Sequence, residues 1–248
     1  IGGGHAGVEA AAAAARMGVE TALVTHSFES IGQMSCNPAI GGIGKSHLAR
    51  EVDAMGGLMC KAAELAGIHF KVLNLSKGQA VRATRAQTDR GLYKKTIQRL
   101  LTKQRKLKTI EATVVDLVVK GGAVKGVKLE GGRVLGADAV VLTTGTFLGG
   151  IMHTGLKQTP GGRKNSRPSN KLSRRLRELP IKVGRLKTGT PPRLDGSTIN
   201  WDKTKNQPGD SPRPVISFGG DQKKHLKQVD CYITKTNTKT HEIILNGM

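Results

Sequence analysis

The feature that most constrains this chain is the glycine turn at its start, Gly2-x-Gly4-x-x-Gly7, running directly into an alanine-rich stretch. A small residue, Ala11, follows Gly7 by four positions, and Gly18 closes the stretch. In a dinucleotide-binding turn the first glycine permits the tight bend and the second lets backbone approach a pyrophosphate. The third, here with Ala11, lets the helix lie close on a sheet. The helix start then offers N–H groups and a positive dipole end to phosphates. Val8 to Met17 reads as that helix, with an acidic residue in its first turn, and Thr21–Thr25 as a buried parallel strand. The acid that usually holds a ribose about 20 positions on is replaced by Thr25-His26, with Glu29 the nearest carboxylate. A turn of this kind follows a strand, so the chain reads as part of something longer, and Ile243-Ile244-Leu245 as an element cut short.

Further along, Gly32–Lys45 reads as a glycine-punctuated loop, with helices over Ser46–Met55 and Asp89–Lys103. In the second helix Leu92, Thr96, Leu100 and Lys103 fall on one line, with Arg90, Lys94 and Lys95 exposed. Three β-rich pieces, Thr113–Val119, Val124–Leu129 and Arg133–Leu135, are joined by glycine pairs and predict an antiparallel meander. Ala139–Thr143 reads as a returning buried strand and Lys171–Glu178 as a short basic helix. The order predicts an α/β fold: a Rossmann-like FAD/NAD(P)-binding domain with a three-stranded meander insertion, then the start of a second, inserted domain. The boundaries read as residues 1–190 and 191–248. The meander tips the dinucleotide toward FAD over NAD.

Forty Lys and Arg against eighteen Asp and Glu give a formal charge of +22. A field of that sign captures polyanions, which makes nucleic acid the leading partner; a generally basic surface explains the same number. Cys36, Cys60 and Cys231 are too widely spaced for a disulfide framework or metal cluster, which favours a reducing compartment. No stretch reaches the roughly 18 apolar residues of a membrane span.

Ala39–Ser46 matches a permissive P-loop pattern, but Pro38 precedes it where a central strand is needed. Its glycines are better read as bringing backbone near a cofactor. Cys36 lies in the same loop. A thiol close to helix N–H groups is a fair nucleophile; a small buried residue without chemistry is the equal alternative.

Together these stretches resemble one family, the tRNA uridine 5-carboxymethylaminomethyl modification enzymes (MnmG, also called GidA). The resemblance rests on Gly2–Gly7, Gly32–Lys45, Glu51–Ala54, Ala80–Gln87, Thr144–Leu148 and Gly184–Arg193. It implies FAD held at Gly2, Gly3, Gly4, His5, Ala6 and Gly7, with further contacts at Val114 and Ser169, and Cys36 as catalytic residue. It also implies NADH as reductant, methylene-tetrahydrofolate as one-carbon donor, tRNA as substrate, the GTPase MnmE as partner and a homodimer without membrane attachment. The setting would be bacterial cytoplasm, or a mitochondrion in a eukaryote. Three departures stand out: Gln79 in Lys77-Gly78-Gln79-Ala80, Ser46 in place of glycine, and later motifs of the family falling past Met248. Arg82, Arg85, Arg185, Lys187 and Arg193 are candidate phosphate contacts or equally a solvated basic face. Two other readings remain: a catalytically incomplete basic module binding FAD or nucleic acid, and a small-molecule FAD oxidoreductase.

Overall fold

The structure is a computed structural model; it describes residues 1–34, 37–164, 166 and 168–247. Its centre is a parallel pair, β1 (Thr21–Thr25) beside β5 (Leu107–Glu111), in register from Thr21 opposite Leu107 to Thr25 opposite Glu111. Because strand side chains alternate, neighbouring residues of β1 serve opposite faces. Leu23 packs into a core formed by α1 (His5–Arg16), α3 (Met59–Ala66) and α4 (Arg90–Thr102). Val24 packs into a second core on the other face, with Val114, Leu117, Val127 and Leu129. Those four belong to the antiparallel meander of β6 (Val114–Lys120), β7 (Ala123–Leu129) and β8 (Val134–Gly136), and α5 (Asn170–Glu178) closes over it with Leu172. The result is the expected α/β, Rossmann-like layering with a meander on one face.

Beside it lies a second sheet in the order β2 (Ala39–Gly41), β4 (Ala83–Thr88), β3 (Gly67–Leu73), all antiparallel, against which α2 (Lys45–Ala54) packs. Within the expected loop Gly32–Lys45, β2 forms because Ala39, Ile40 and Gly41 pair with Gln87, Ala86 and Arg85. A hairpin, β9 (Ile151–Thr154) with β10 (Lys157–Pro160), follows the meander. The last elements are the pair β11 (Lys205–Gln207) and β12 (Cys231–Ile233), then α6 (Thr238–Asn246).

Three local expectations are corrected. Ala139–Thr143 is not a buried strand: Val141 is 57% exposed, and the backbone bonds of Val141 and Thr143 among the described residues run only to Ile1. Two bonds to one residue do not make a ladder. In α4 the buried line is Tyr93, Thr96, Ile97 and Leu101, and Leu92 faces outward. That is the i, i+3, i+4, i+8 stripe of a helix, rotated by about one residue from the expected line. Finally, α1 starts at His5 and has no acidic residue in its first turn. Glu9 instead reaches across to α3, where its carboxylate accepts the N–H of Leu58 at 2.8 Å and of Met59 at 2.5 Å.

The chain after residue 207 runs back along this second sheet. Asp210 N–H donates to Phe70 O at 2.9 Å and Val229 N–H to Ile68 O at 2.7 Å, covering the edge of β3. Ile216 is fully buried in the main core. Two buried carboxylates hold it there. Glu64 pairs with Arg213 at 2.6 Å and accepts Ile216 N–H at 2.8 Å. Asp53 accepts the Ser217 hydroxyl at 3.0 Å and Phe218 N–H at 2.7 Å.

Candidate dinucleotide-binding site

The glycine turn is fixed on three sides. Gly2 N–H donates to Val24 O at 2.8 Å, Gly3 O accepts Gly32 N–H at 3.0 Å, and Thr143 Oγ1 donates to Ile1 O at 2.8 Å. Gly2 has φ +107°, a conformation favouring glycine. A Cβ at Gly7 would lie 1.8 Å from Gly2 O and 2.6 Å from Thr143 Oγ1, so this residue permits the close approach of helix to turn. At Gly3 a Cβ would meet Thr25 Oγ1 at 2.9 Å. Gly4 differs from all three: it is exposed, its backbone is ordinary (φ −77°, ψ −174°), and a Cβ there would find no atom within 4 Å.

Open space therefore lies in front of the second glycine, where the sequence places a pyrophosphate. The first helical hydrogen bond is Val8 N–H to Gly4 O at 3.0 Å, so the amides of His5, Ala6 and Gly7 point out of the α1 N-terminus. No acidic side chain in the first turn offsets the positive dipole end. The donors and the room both suit an anionic diphosphate, and these residues fit the group.

The His5 ring turns inward, its Nδ1 3.2 Å from the Tyr93 hydroxyl of α4. Burial first, then the charge of Lys45, pushes the imidazole below its ordinary value. Burial pushes the Tyr93 phenol up.

Val114 and Ser169 come to the same side of β1. Val114 is 3% exposed inside the meander core, so a cofactor contact there would fall to its backbone. Ser169 is buried at the start of α5, its N–H donating to Phe147 O at 2.8 Å. The Phe147 ring in turn stands edge-on to His26, at the end of β1, with centroids 5.9 Å apart. Cys36 lies outside the described residues.

The end of β1, where a ribose acid is usual, carries Thr25 and His26. Thr25 is buried against Gly3, and Glu29 is exposed with Lys94 3.6 Å away. Glu111, opposite Thr25 at the end of the parallel pair, accepts Phe28 N–H at 2.8 Å. Sequence pattern does not reveal Glu111, because β5, Leu-Lys-Thr-Ile-Glu, carries two charges and no strand signal. Nor does it reveal Arg90 and Arg163, which reach the loop beside the turn: Arg90 donates to Met34 O at 2.9 Å and Arg163 to Gln33 Oε1 at 2.5 Å. Their positions 73 residues apart give no local pattern.

The P-loop pattern is not a phosphate cradle. Strand β2 occupies its first three positions, leaving Gly42–Gly44 as the turn before α2. The Ser46 hydroxyl accepts Gly42 N–H at 2.8 Å and donates to Thr84 O, which ties it to backbone. Among the described residues no group of three or more His, Cys, Asp or Glu could hold a metal, and no helix is long and apolar enough to cross a membrane. A groove of about 500 Å³ between the meander and α5 is lined by Lys128, Lys171, Arg174 and Arg175, but also by Asp116, Glu130 and Glu178. Arg175 pairs with Asp116 and Glu178, each at 3.0 Å, and no residue of the turn borders it.

Comparison with known proteins agrees with this geometry. The model of the family described as glucose inhibited division protein A matches residues 1–248. Two crystal forms of Aquifex aeolicus GidA superpose on the chain. Form II does so at 47% identity and TM-score 0.92, over 99% of this chain and 42% of that one. Form I does so at 46% identity and TM-score 0.93, over 100% and 42%. The chain thus spans about two fifths of the length of those structures. The GidA-related protein of Thermus thermophilus shares the fold at 22% identity and TM-score 0.54, over 73% of this chain and 67% of that one. With a family match along its full length and a near-half-identical relative of the same fold, the chain belongs to the glucose inhibited division protein A family.

Proposed function

We propose that this chain is the FAD-binding part of an enzyme that builds a carboxymethylaminomethyl-type group on C5 of the wobble uridine of tRNA. One observation carries the cofactor: the open space at Gly4, faced by the uncompensated N-terminus of α1. The turn from Gly2 to Gly7 would bind the diphosphate by backbone N–H groups, as the chemistry of a helix start favours. Gly2, Gly3 and Gly7 shape the turn, Gly4 leaves room, and His5 and Ala6 present amides. Val114 would contribute backbone at the entry to the meander, and Ser169 the start of α5. When bound, the flavin supplies electrons or carries the one-carbon unit; the protein binds and orients the base.

Family membership and the +22 charge support tRNA as the substrate. The family resemblance supports NADH as reductant, methylene-tetrahydrofolate as carbon donor, MnmE as GTPase partner, a homodimer and a cytoplasmic or mitochondrial setting. Cys36 is carried as the candidate nucleophile on that same resemblance. The division into a dinucleotide-binding unit (1–190) and an inserted unit beginning at 191 belongs to this reading too. Gel shifts across a salt series test the tRNA assignment. Binding by charge alone collapses steeply with salt and ignores RNA identity. The proposal expects tRNA to be retained at a salt concentration that releases an unrelated RNA of equal length; equal release of both would contradict it.

A further inference from the structure

Arg90 and Arg163 come from different parts of the fold and meet at one loop. Arg90 opens α4 and donates to Met34 O; Arg163 follows β10 and donates to the neighbouring Gln33 side chain. That loop is itself bonded to the glycine turn through Gly32 N–H and Gly3 O. Both guanidiniums spend these bonds on neutral acceptors. Among the described residues no carboxylate lies within ion-pair distance of either, although other arginines of the chain, Arg175 and Arg213, have such partners. Arg163 Nε is buried without a hydrogen-bond partner among the described residues. Burial, and then the charge of Arg90, push the Arg163 guanidinium below its ordinary value.

Gly162, next to Arg163, lies against the Thr146–Phe147 segment. Thr146 Oγ1 donates to Gly162 O at 2.6 Å, and a Cβ at Gly162 would stand 2.7 Å from Thr146 O. The guanidinium also lies 5.9 Å from the Phe147 ring centroid. Two guanidiniums bonded to adjacent residues, one of them with a buried donor unused, cost free energy unless an anion answers them. Guanidinium forks suit phosphate oxygens because several N–H groups lie in one plane.

We propose that Arg90 and Arg163 form a phosphate clamp beside the glycine turn, gripping a phosphate group that docks between the turn and the Gly32–Met34 loop. The proposal shares the location of the cofactor site but rests on its own residues. The phosphate belongs either to a dinucleotide or to an RNA backbone, and the test separates the two. The side-chain Nε–H resonance of Arg163, assigned with R163K, is followed in the ¹⁵N-labelled chain. Inorganic pyrophosphate, FAD and a single-stranded RNA oligonucleotide are titrated separately, with sodium chloride at matched ionic strength as control.

A saturable shift with pyrophosphate is expected. In R90Q its dissociation constant should rise about tenfold, the loss of one charge-assisted hydrogen bond. Saturation by FAD assigns the phosphate to the dinucleotide; saturation by RNA and not by FAD assigns it to nucleic acid. A response to pyrophosphate without any binding of FAD would leave the clamp standing and remove the cofactor reading. Shifts that rise linearly, match the chloride control and are unchanged in R90Q would overturn the clamp.

Discussion

At the scale of single residues, the turn divides its glycines by what a methyl group would strike. Gly7 has no room, with Gly2 O 1.8 Å from a would-be Cβ, whereas Gly4 has nothing within 4 Å. The first is a packing requirement and the second leaves room on the ligand side, a distinction that G-x-G-x-x-G spacing alone does not make. His5 gives a pH prediction. Its imidazole is held below 6.5 in the folded chain, so folding favours the neutral ring. The unfolded chain then binds the extra proton more readily, and stability is full above pH 6.5 and drains as pH falls below it. Urea midpoints between pH 7.5 and 5 should show this loss in wild type and a smaller one in His5→Gln. An identical pH dependence in both would remove His5 as its source.

At the scale of elements, much of the order is legible in the sequence. Helix α1, strand β1, the meander and α5 announce themselves by alanine content, β-branched runs and glycine punctuation. What escapes is set by tertiary partners. Ala39–Gly41 becomes a strand only because β4 lies alongside it. Ala139–Thr143 has the composition of a strand, but among the described residues its backbone meets only Ile1. The line expected on α4 omits Tyr93, whose hydroxyl meets His5. Of the site, the turn is readable because its residues are contiguous; Glu111, Arg90 and Arg163 are not, because folding alone assembles them. Glu9 shows the same limit, since from sequence it looks like a first-turn acid of α1. It caps α3 instead, so Glu9→Ala should cost about 1–2 kcal/mol, as loss of an anionic helix cap does. Amide exchange should quicken at Leu58 and Met59 before it does in α1; equal protection in both proteins would refute the cap.

At the scale of the whole molecule, the segment around residues 210–218 is tied down by buried charge. Glu64 and Arg213 are 7% and 6% exposed in their side chains and stand 2.6 Å apart, with Arg213 stacked 4.3 Å from the Phe70 centroid. Removing one partner leaves the other charge buried, so Arg213→Met should destabilise by about 3–5 kcal/mol. Arg213→Met combined with Glu64→Gln should recover part of that loss in urea unfolding. If the double variant were no more stable than the single one, the pair would not be the fastening. As proposed above, the space in front of Gly4 would receive the diphosphate of FAD. The most direct test of that proposal is FAD titration of wild type and Gly4→Val, followed by the visible flavin band of the protein fraction after gel filtration. Because a Cβ at Gly4 meets no protein atom and Gly4 is the N-cap of α1, the variant should lose only about 1 kcal/mol, the cost of an apolar residue at a helix cap. Wild type should retain FAD saturably at one per chain, and Gly4→Val should lose it. Equal retention by both proteins, or no retention by wild type, would contradict the account.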